Sequence, residues 1–455
     1  MMLRDGRSVV PDNRFDLAPE PAGLPTVSVV IPYYDQPRQL DLVLAALTLQ
    51  DYPPEKIDVV VADDGSAVPP ALGPWTPRLD VSSVRQEDEG FRAAAARNLG
   101  AAASVGTILC FLDADTVPAP DYLRRAVRLP SVLPDALVVG RRKHTDLSEF
   151  TPTSLRRWMA DAVLRQDSNE NEPSWLVDGY RRTDNLLFPG WDGYKYIISA
   201  VLTCSRELFD DVGGFDSSFT SYGGEDWEFA NRAFMMGAVF AHEPDAVAWH
   251  DGPDWGERDV ARRTEQKNGE ALALAPLITD PAARMAGLRY RVPDVAVTVS
   301  VDGHSPASLT STVASILRQG DCAVWLVGED AEAVHGRLGV WDSRIRIGRP
   351  DESILGRARF SIDVVGRVRF ADESLNKMED LLGPGRAGGV VVEFEVSSGA
   401  SVTVWTSRAI HRARRWVSYS DFDDSDLRTA LFGVRHVGTV DLGLTVVADE
   451  PWLSW

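Results

Sequence analysis

The sequence predicts an α/β protein, a mainly parallel sheet flanked by helices, followed by a second and degenerate copy of the same architecture. Three observations lead there. Short β-branched apolar runs alternate with helical patterns from residue 27 onward, acidic pairs stand where those runs end, and the order of the early segments recurs later in the chain. At 455 residues the chain is also longer than one hydrophobic core usually organises.

Val27-Ser-Val-Val-Ile31 reads as a buried parallel strand, and Leu40 to Leu49 follows with apolar residues at helical spacing. Ile57-Asp-Val-Val-Val61 is a second strand, ending in Asp63-Asp64-Gly65-Ser66. Such a strand–helix–strand unit places ligands at the carboxyl ends of its strands. An Ala-rich helix from Phe91 to Ala103 leads to the strand Thr107 to Leu112, which runs into Asp113-Ala-Asp115. Residues 141 to 190 are polar and carry Pro152, Pro173, Gly179 and Pro189, so a loop-rich, lid-like stretch is expected there. Ile197 to Cys204 reads as a strand, and Glu225 to Met236 as a helix closed by Gly237.

After a charged, helical connector the pattern restarts. Pro306, Leu309 and Gln319 stand 269 residues after Pro37, Leu40 and Gln50, which marks an internal repeat. Val324 to Val327 answers the second strand, Ala371-Asp-Glu373 lies near the Asp113-Ala-Asp115 position, Thr406-Ser-Arg408 answers Cys204-Ser-Arg206, and Ser425-Asp426 answers Glu225-Asp226. The expected division is a flexible N-terminal tail over 1–24, a first α/β domain over 25–256, a helical connector over 257–291 and a degenerate second domain over 292–455.

A net charge of −20 lacks the basic footprint that phosphate neutralisation requires, so no nucleic-acid partner is expected. Three widely spaced cysteines, Cys110, Cys204 and Cys322, imply neither a disulfide framework nor a thiolate metal site. The N-terminus lacks the apolar core of a signal peptide, and no apolar run reaches the ~18 residues of a membrane span. A cytoplasmic location follows, with the inner membrane surface as a peripheral alternative; a homo-oligomer is compatible with the sequence. The basic run His411-Arg-Ala-Arg-Arg415 reads as a solvated helical face.

Two carboxylates spaced as in Asp113-Ala-Asp115, just beyond a hydrophobic strand, can aim at one point, which suits a hard divalent cation sharing its shell with substrate phosphates. A turn or an N-cap explains an isolated triplet equally well. Asp63 and Asp64 can accept from a base or a ribose hydroxyl, or simply close an Asx-type turn. Gly213-Gly-Phe-Asp216 and the two glycines of Ser221-Tyr-Gly-Gly-Glu-Asp-Trp227 precede Glu225 and Asp226, which then open a helix whose dipole should keep them ionised. His250, after the strand-like Ala246 to Trp249, is either structural or the imidazole that completes a metal shell.

Val27 to Ser66, Glu89-Gly-Phe-Arg-Ala-Ala-Ala-Ala-Arg-Asn-Leu-Gly100, Phe111-Leu-Asp-Ala-Asp-Thr-Val-Pro118 and Gly213 to Gly237 together resemble the GT-A-fold family 2 glycosyltransferases. The nearest likeness is to the bacterial chondroitin-polymerase type and the galactosyl- and N-acetylgalactosaminyltransferases with a GGED-type helix. The likeness covers about residues 25 to 255. It implies a GT-A, Rossmann-like catalytic domain with Mn²⁺ or Mg²⁺ as cofactor and a nucleotide sugar, UDP-linked, as donor. The acceptor is a glycan, a lipid-linked molecule or a small molecule, and the reaction is inverting transfer to its hydroxyl. In that reading Pro32, Tyr33, Asp63 and Asp64 hold the nucleoside and Arg97 borders the nucleotide. Asp113 and Asp115 carry the metal and the donor, and His250 is the further metal ligand. Glu225 and Asp226 face the acceptor, with Asp226 the base, and Trp191, Tyr194 and Trp227 offer stacking faces to a sugar.

The second copy departs where chemistry is needed: Val327-Gly-Glu-Asp330 replaces Asp-Asp-Gly-Ser, Ala371 stands for Asp113, and no Trp-His follows. A non-catalytic second domain is expected. Two rival readings remain, a nucleotide-sugar- or glycan-binding scaffold and a sugar nucleotidyltransferase. The latter would want a Gly-rich, Lys- or Arg-bearing phosphate loop where Pro32-Tyr-Tyr-Asp-Gln36 stands.

Overall fold

The computed structural model describes residues 1–162, 171–221, 223–252, 260–395 and 398–453. Two compact units result, one of residues 1–234 and 238–274, the other of residues 235–237 and 275–455.

In the first unit the chain runs β1 (Val27–Tyr33), α1 (Pro37–Leu47), β2 (Ile57–Asp63), β3 (Asp80–Arg85), α2 (Ala93–Ala103), β4 (Ile108–Leu112), β5 (Thr116–Pro118) and α3 (Tyr122–Ala126). It continues with β6 (Ala136–Thr145), α4 (Pro152–Ala162), α5 (Ser174–Arg182), β7 (Val201–Ser205), α6 (Arg206–Val212), α7 (Glu225–Met235), β8 (Val239–Asp251) and α8 (Val260–Leu274). The strands form one sheet in the order β3-β2-β1-β4-β7-β6-β8-β5. β1 lies parallel to both β2 and β4, whereas β7 runs antiparallel between β4 and β6. Every residue of β4 is buried, as a continuous apolar run covered on both faces requires.

The stretch expected to be loop-rich is instead built in part: β6, α4 and α5 occupy half of it, while 163–170 lie outside the described residues. The helices declare themselves by apolar pairs four residues apart, Leu155 with Met159 and Leu176 with Tyr180, all buried. The polar residues that suggested a loop belong to the far end of β6, where Arg141 finds an ion partner in Glu172 at 2.6 Å.

The N-terminal segment is not a loose tail. Leu3, Val9 and Val10 are buried, Val10 in a cluster with Leu129, Leu133 and Val239. Asn13 donates to the carbonyls of Leu186 and Phe240 (2.6 and 2.9 Å) and accepts from the Phe240 amide at 2.8 Å, satisfying backbone groups beside β8.

The second unit runs β9 (Val295–Ser300), α9 (Pro306–Leu317), β10 (Cys322–Val327), α10 (Ala331–Leu338), β11 (Ile345–Ile347), α11 (Glu352–Leu355), β12 (Phe360–Val365) and β13 (Val368–Phe370). Then follow α12 (Ser374–Glu379), β14 (Gly389–Glu393), β15 (Ser401–Thr406), α13 (Ser407–Trp416), α14 (Asp424–Phe432), β16 (Val434–Gly438), α15 (Thr439–Leu442) and β17 (Leu444–Val446). Its main sheet has the order β11-β10-β9-β12-β15-β14-β16, with β13 paired to β17 in a small second sheet. Strand for strand this is the order of the first unit, with the long β8, which pairs both β6 and β5, divided into β16 and β17.

Individual hydrogen bonds recur with the topology. Gln50 Oε1 accepts from the Leu123 amide at 3.0 Å, and Gln319 Oε1 from the Leu375 amide at 2.9 Å. The amide of Arg206 donates to Thr107 O and that of Ser407 to Arg359 O, while Ser205 and Thr406 cap the helices that follow. Thr406 therefore corresponds to Ser205, one residue away from the match made on sequence alone.

Two further expectations change. Within the connector, α8 ends at Leu274; residues 257–259 of it lie outside the described residues, as does Tyr222. The basic run His411 to Arg415 on α13 is not a wholly solvated face, because Arg412 is buried with its guanidinium over the Phe432 ring. Arg414 is exposed and pairs with Glu352 at 3.0 Å. Cys110, Cys204 and Cys322 are buried free thiols.

Replacing Gln50 or Gln319 by Leu strands a backbone amide at the start of the next helix. Each substitution is expected to cost about 1–3 kcal/mol in urea denaturation. A neutral result at both positions would mean that the recurring bond does not hold the helices.

Candidate active site

The parallel strands of the first unit deliver their acidic residues to one edge. Pro32 and Tyr33 end β1 beside Ala62 and Asp63 of β2. Asp63 accepts from the Ser66 amide at 2.8 Å and faces Arg85 at 3.3 Å. Asp64 accepts from Gln86 Nε2 at 2.5 Å and from the Arg92 amide at 2.9 Å. Both carboxylates thus shape the turn as well as lining the edge. Gly65 has φ +84°, and a Cβ there would lie 2.4 Å from the backbone nitrogen of Asp88, so only glycine closes this turn. Tyr33 is buried, and burial raises its phenol pKa. The next residue, Tyr34, points the other way and is exposed, with its hydroxyl 3.3 Å from Asp88.

Asp113-Ala-Asp115 links β4 to β5, and β5 pairs with β8 so that Thr116 stands opposite His250. The Asp251 amide donates to Asp115 O at 2.8 Å, which locks the turn against the end of β8. Asp115 Oδ2 and His250 Nε2 consequently meet at 3.5 Å. Burial, reinforced by the Asp113 charge, pushes the Asp115 carboxyl up to about 7. Asp113 turns elsewhere and accepts from Arg97 at 2.8 Å. Among the described residues no group of three His, Cys, Asp or Glu side chains is gathered closely enough to hold a metal ion. The expected trio is therefore split into an Asp115–His250 pair and an Asp113 committed to a guanidinium. The pair remains an oxygen-and-imidazole donor set that suits Mn²⁺ or Mg²⁺, and a divalent cation would add counter-charge to the half-buried Asp115.

Glu225 and Asp226 occupy the first turn of α7, as expected. Glu225 does not face outward: it is buried and accepts from Arg97 at 3.1 Å. Asp226 accepts from the Trp227 amide at 2.9 Å. The helix dipole was expected to keep this carboxylate readily ionised, yet burial and the adjacent Glu225 push it up to about 7. Desolvation, with the charge of Glu225 one residue away adding to it, outweighs the dipole here. Arg97 is likewise not at a solvent-facing border; it lies buried between Asp113 and Glu225.

Of the three aromatics, Trp191 and Trp227 are half-buried, but Tyr194 is only 1% exposed. Its ring meets Trp227 edge-on at 6.3 Å, so it supports that indole and presents no open face. Lys267 lies over Trp227 at 5.1 Å.

Sequence reasoning missed the end of β6. Arg142 and His144, two residues apart, stand opposite Ala248 and His250. The His144 and His250 rings are 5.0 Å apart, edge to face, and Arg142 exerts its charge on Asp115. Asp251 adds a clamp, accepting from the Leu147 amide at 2.8 Å and from Arg38, which also donates to Leu147 O. A period-two pattern in Arg142 and His144 was the available signal, hidden by the polarity of the stretch.

At the same place the second unit has Val365-Gly366-Arg367, since β13 follows directly as β5 follows Asp115, and the Val447 amide donates to Arg367 O as Asp251 does to Asp115 O. The counterpart of Asp113 is thus Val365 and not Ala371, and Val446, opposite Val368, stands where His250 does.

Residues 28–198 match the family described as glycosyl transferase family 2, and residues 190–243 the N-terminal domain of galactosyltransferase. The chondroitin synthase of Pasteurella multocida (strain Pm70) is 29% identical over 266 residues, 54% of this chain and 26% of that one. The validoxylamine A glucosyltransferase of Streptomyces hygroscopicus subsp. limoneus is 30% identical over 275 residues, 57% of each chain. A solved mannosyltransferase from Pyrobaculum calidifontis, in complex with GDP-Man and Mn²⁺, aligns over 57% of this chain and 66% of that chain at 23% identity, with a TM-score of 0.39. The matched segment spans between 26% and 36% of the length of the bacterial chondroitin synthases. Among the described residues no helix is long and apolar enough to cross a membrane.

Replacing Gly65 by Ala forces a side chain into left-handed backbone and into the Asp88 main chain. A loss of at least about 2 kcal/mol in chemical denaturation is expected, and an unchanged unfolding midpoint would show that the turn is not so constrained.

Proposed function

We propose that the glycosyl transferase family 2 domain of residues 28–198, completed by the α7 and β8 segments up to Asp251, moves a sugar from a nucleotide sugar to an acceptor hydroxyl with inversion. The donor is UDP-linked, and the acceptor is a glycan, a lipid-linked molecule or a small molecule. One observation carries this reading: Asp115 meets His250 at 3.5 Å while Asp113 is tied through Arg97 to the helix that bears Asp226.

Pro32, Tyr33, Asp63 and Asp64 form the nucleoside wall, with Tyr34 as the exposed aromatic beside them. Asp115 and His250 hold Mn²⁺ or Mg²⁺, with Asp113 next in the triplet. The cation, when bound, neutralises charge building on the departing diphosphate. Arg142, whose Nε is buried without a hydrogen-bond partner among the described residues, adds a fixed positive charge on the same side. Asp226 accepts the acceptor's proton as its oxygen attacks the anomeric carbon, and a pKa near the working pH suits a base. Trp191 and Trp227 give the acceptor its stacking faces.

The second unit serves as a non-catalytic partner descended from the same fold. It has Val365, Arg367 and Val446 at the positions of Asp113, Asp115 and His250, which favours transfer of single sugars over alternating polymerisation.

Purified protein with Mn²⁺ is expected to turn over one nucleotide sugar, and Asp113→Ala or chelation by EDTA to abolish turnover. If no nucleotide sugar is bound or consumed with metal present, a binding scaffold is the better reading. Asp226→Asn is expected to retain nucleotide binding while losing about 10²–10⁴-fold in transfer; loss of both together counts against its role as base.

The pH dependence has a definite sign. The Asp226 carboxyl is raised, so it is protonated and inactive below about 7, and kcat should fall tenfold per pH unit on the acid side. A kcat flat from pH 7 to 5 would remove Asp226 from the proton transfer.

A further inference from the structure

The chemistry above leaves Arg97 without a part, although it is the most enclosed cation at the edge. Its side chain is 4% exposed, and burial alone would depress its pKa, yet the Asp113 and Glu225 carboxylates hold it above the ordinary value. One terminal nitrogen donates to Asp113 Oδ1 at 2.8 Å and the other to Glu225 Oε1 at 3.1 Å. The Phe215 ring lies 5.4 Å beneath the guanidinium carbon. With both ends of the fork engaged and one face on an aromatic, little of the group is left for a nucleotide.

Resting on the transferase reading, we propose that Arg97 is a positioning residue: it locks the metal-side triplet to the base-bearing helix and so sets the distance between donor and base. A guanidinium can do this because it is planar, permanently charged and donates in two fixed directions, whereas a lysine ammonium has a single point of charge on a flexible stem. Asp113 follows β4, and Glu225 opens α7, so the two carboxylates come from different elements and meet through this one group. The lock has an electrostatic side. Asp226 is faced by Glu225 beside it, Arg97 behind it and Glu270 from α8, the last paired with Lys267 at 2.7 Å. Loss of the Arg97 charge leaves Glu225 uncompensated beside the base, and loss of the Glu225 charge has the opposite effect.

The test compares Arg97→Lys, Arg97→Gln and Glu225→Gln with the unaltered protein, in calorimetry with UDP and Mn²⁺ and in steady-state kinetics. Expected are nucleotide affinity and donor KM within about threefold, and a kcat lower by about 10–100-fold in Arg97→Lys. The acid limb of kcat should move to higher pH in Arg97→Gln and to lower pH in Glu225→Gln. A merely structural role would not move the two limbs in opposite directions. Lost nucleotide binding with kcat retained, or unmoved limbs, overturns the proposal. Should Arg97→Gln fail to fold, Glu225→Gln alone decides by the direction of its limb. Should the unaltered protein turn over no nucleotide sugar, the transferase reading fails, and the lock is judged by a double-mutant cycle. Asp113 and Glu225 both accept from Arg97, so the urea midpoints of Asp113→Asn and Glu225→Gln should shift non-additively; additive shifts refute the lock.

Discussion

The active edge of the first unit depends on the pairing of a three-residue strand, Thr116 to Pro118, with Ala248 to His250. β4 brings Asp113 to the carboxyl end of the parallel sheet, but nothing in β4 itself determines where Asp115 points. The antiparallel bonds of β5 to β8, and the Asp251 amide on Asp115 O, close the turn between them. They put an imidazole from residue 250 against a carboxylate from residue 115 at 3.5 Å. The Arg38–Asp251–Leu147 clamp then holds the end of β8. The same bracing occurs in the second unit, where β13 pairs with β17 and Val447 donates to Arg367 O, with Val365, Arg367 and Val446 at the positions of Asp113, Asp115 and His250. The backbone bracing is therefore shared by two edges that carry different side chains.

Charge at this edge is arranged as a chain. Asp115 and Asp226 are both pushed upward by burial, each with a second carboxylate adjacent, and between them the Arg97 guanidinium holds Asp113 and Glu225. Glu225 is buried and the other three are partly so, and carboxylates withdrawn from water are costly unless they are paired or meet a cation. The cost is tolerable here because Arg97 serves two of them, and because Asp115 lies beside His250 and within the influence of Arg142.

Much of this was legible in the amino-acid order. The apolar runs of β1, β2 and β4 were read from their β-branched residues, and the repeat was read from Pro37, Leu40 and Gln50 against Pro306, Leu309 and Gln319. Gln50 and Gln319 turn out to make the same bond to the following helix. Placing Asp226 on a first helical turn also followed from local pattern. Where polarity conflicted with structure the reading went astray: β6 looked like a loop because Arg141, Arg142 and His144 find their neighbours on β8 and at Glu172, contacts that no local pattern records. The N-terminal segment looked loose because Asn13 bonds to backbone more than 170 residues away.

By itself, then, the sequence determined the order of strands and helices, the two-fold repetition of that order and the residue types available at each strand end, since these follow from periodicity and from short-range turn chemistry. The tertiary structure decided which of those residues meet. It separated Asp113 from the Asp115–His250 pair, turned Glu225 and Arg97 inward, buried Tyr194, and matched the triplet to Val365-Gly366-Arg367 instead of Ala371. The reason is physical. Side-chain direction at a sheet edge is set by cross-strand register and by buried charge seeking a partner, and both depend on residues far apart in the chain.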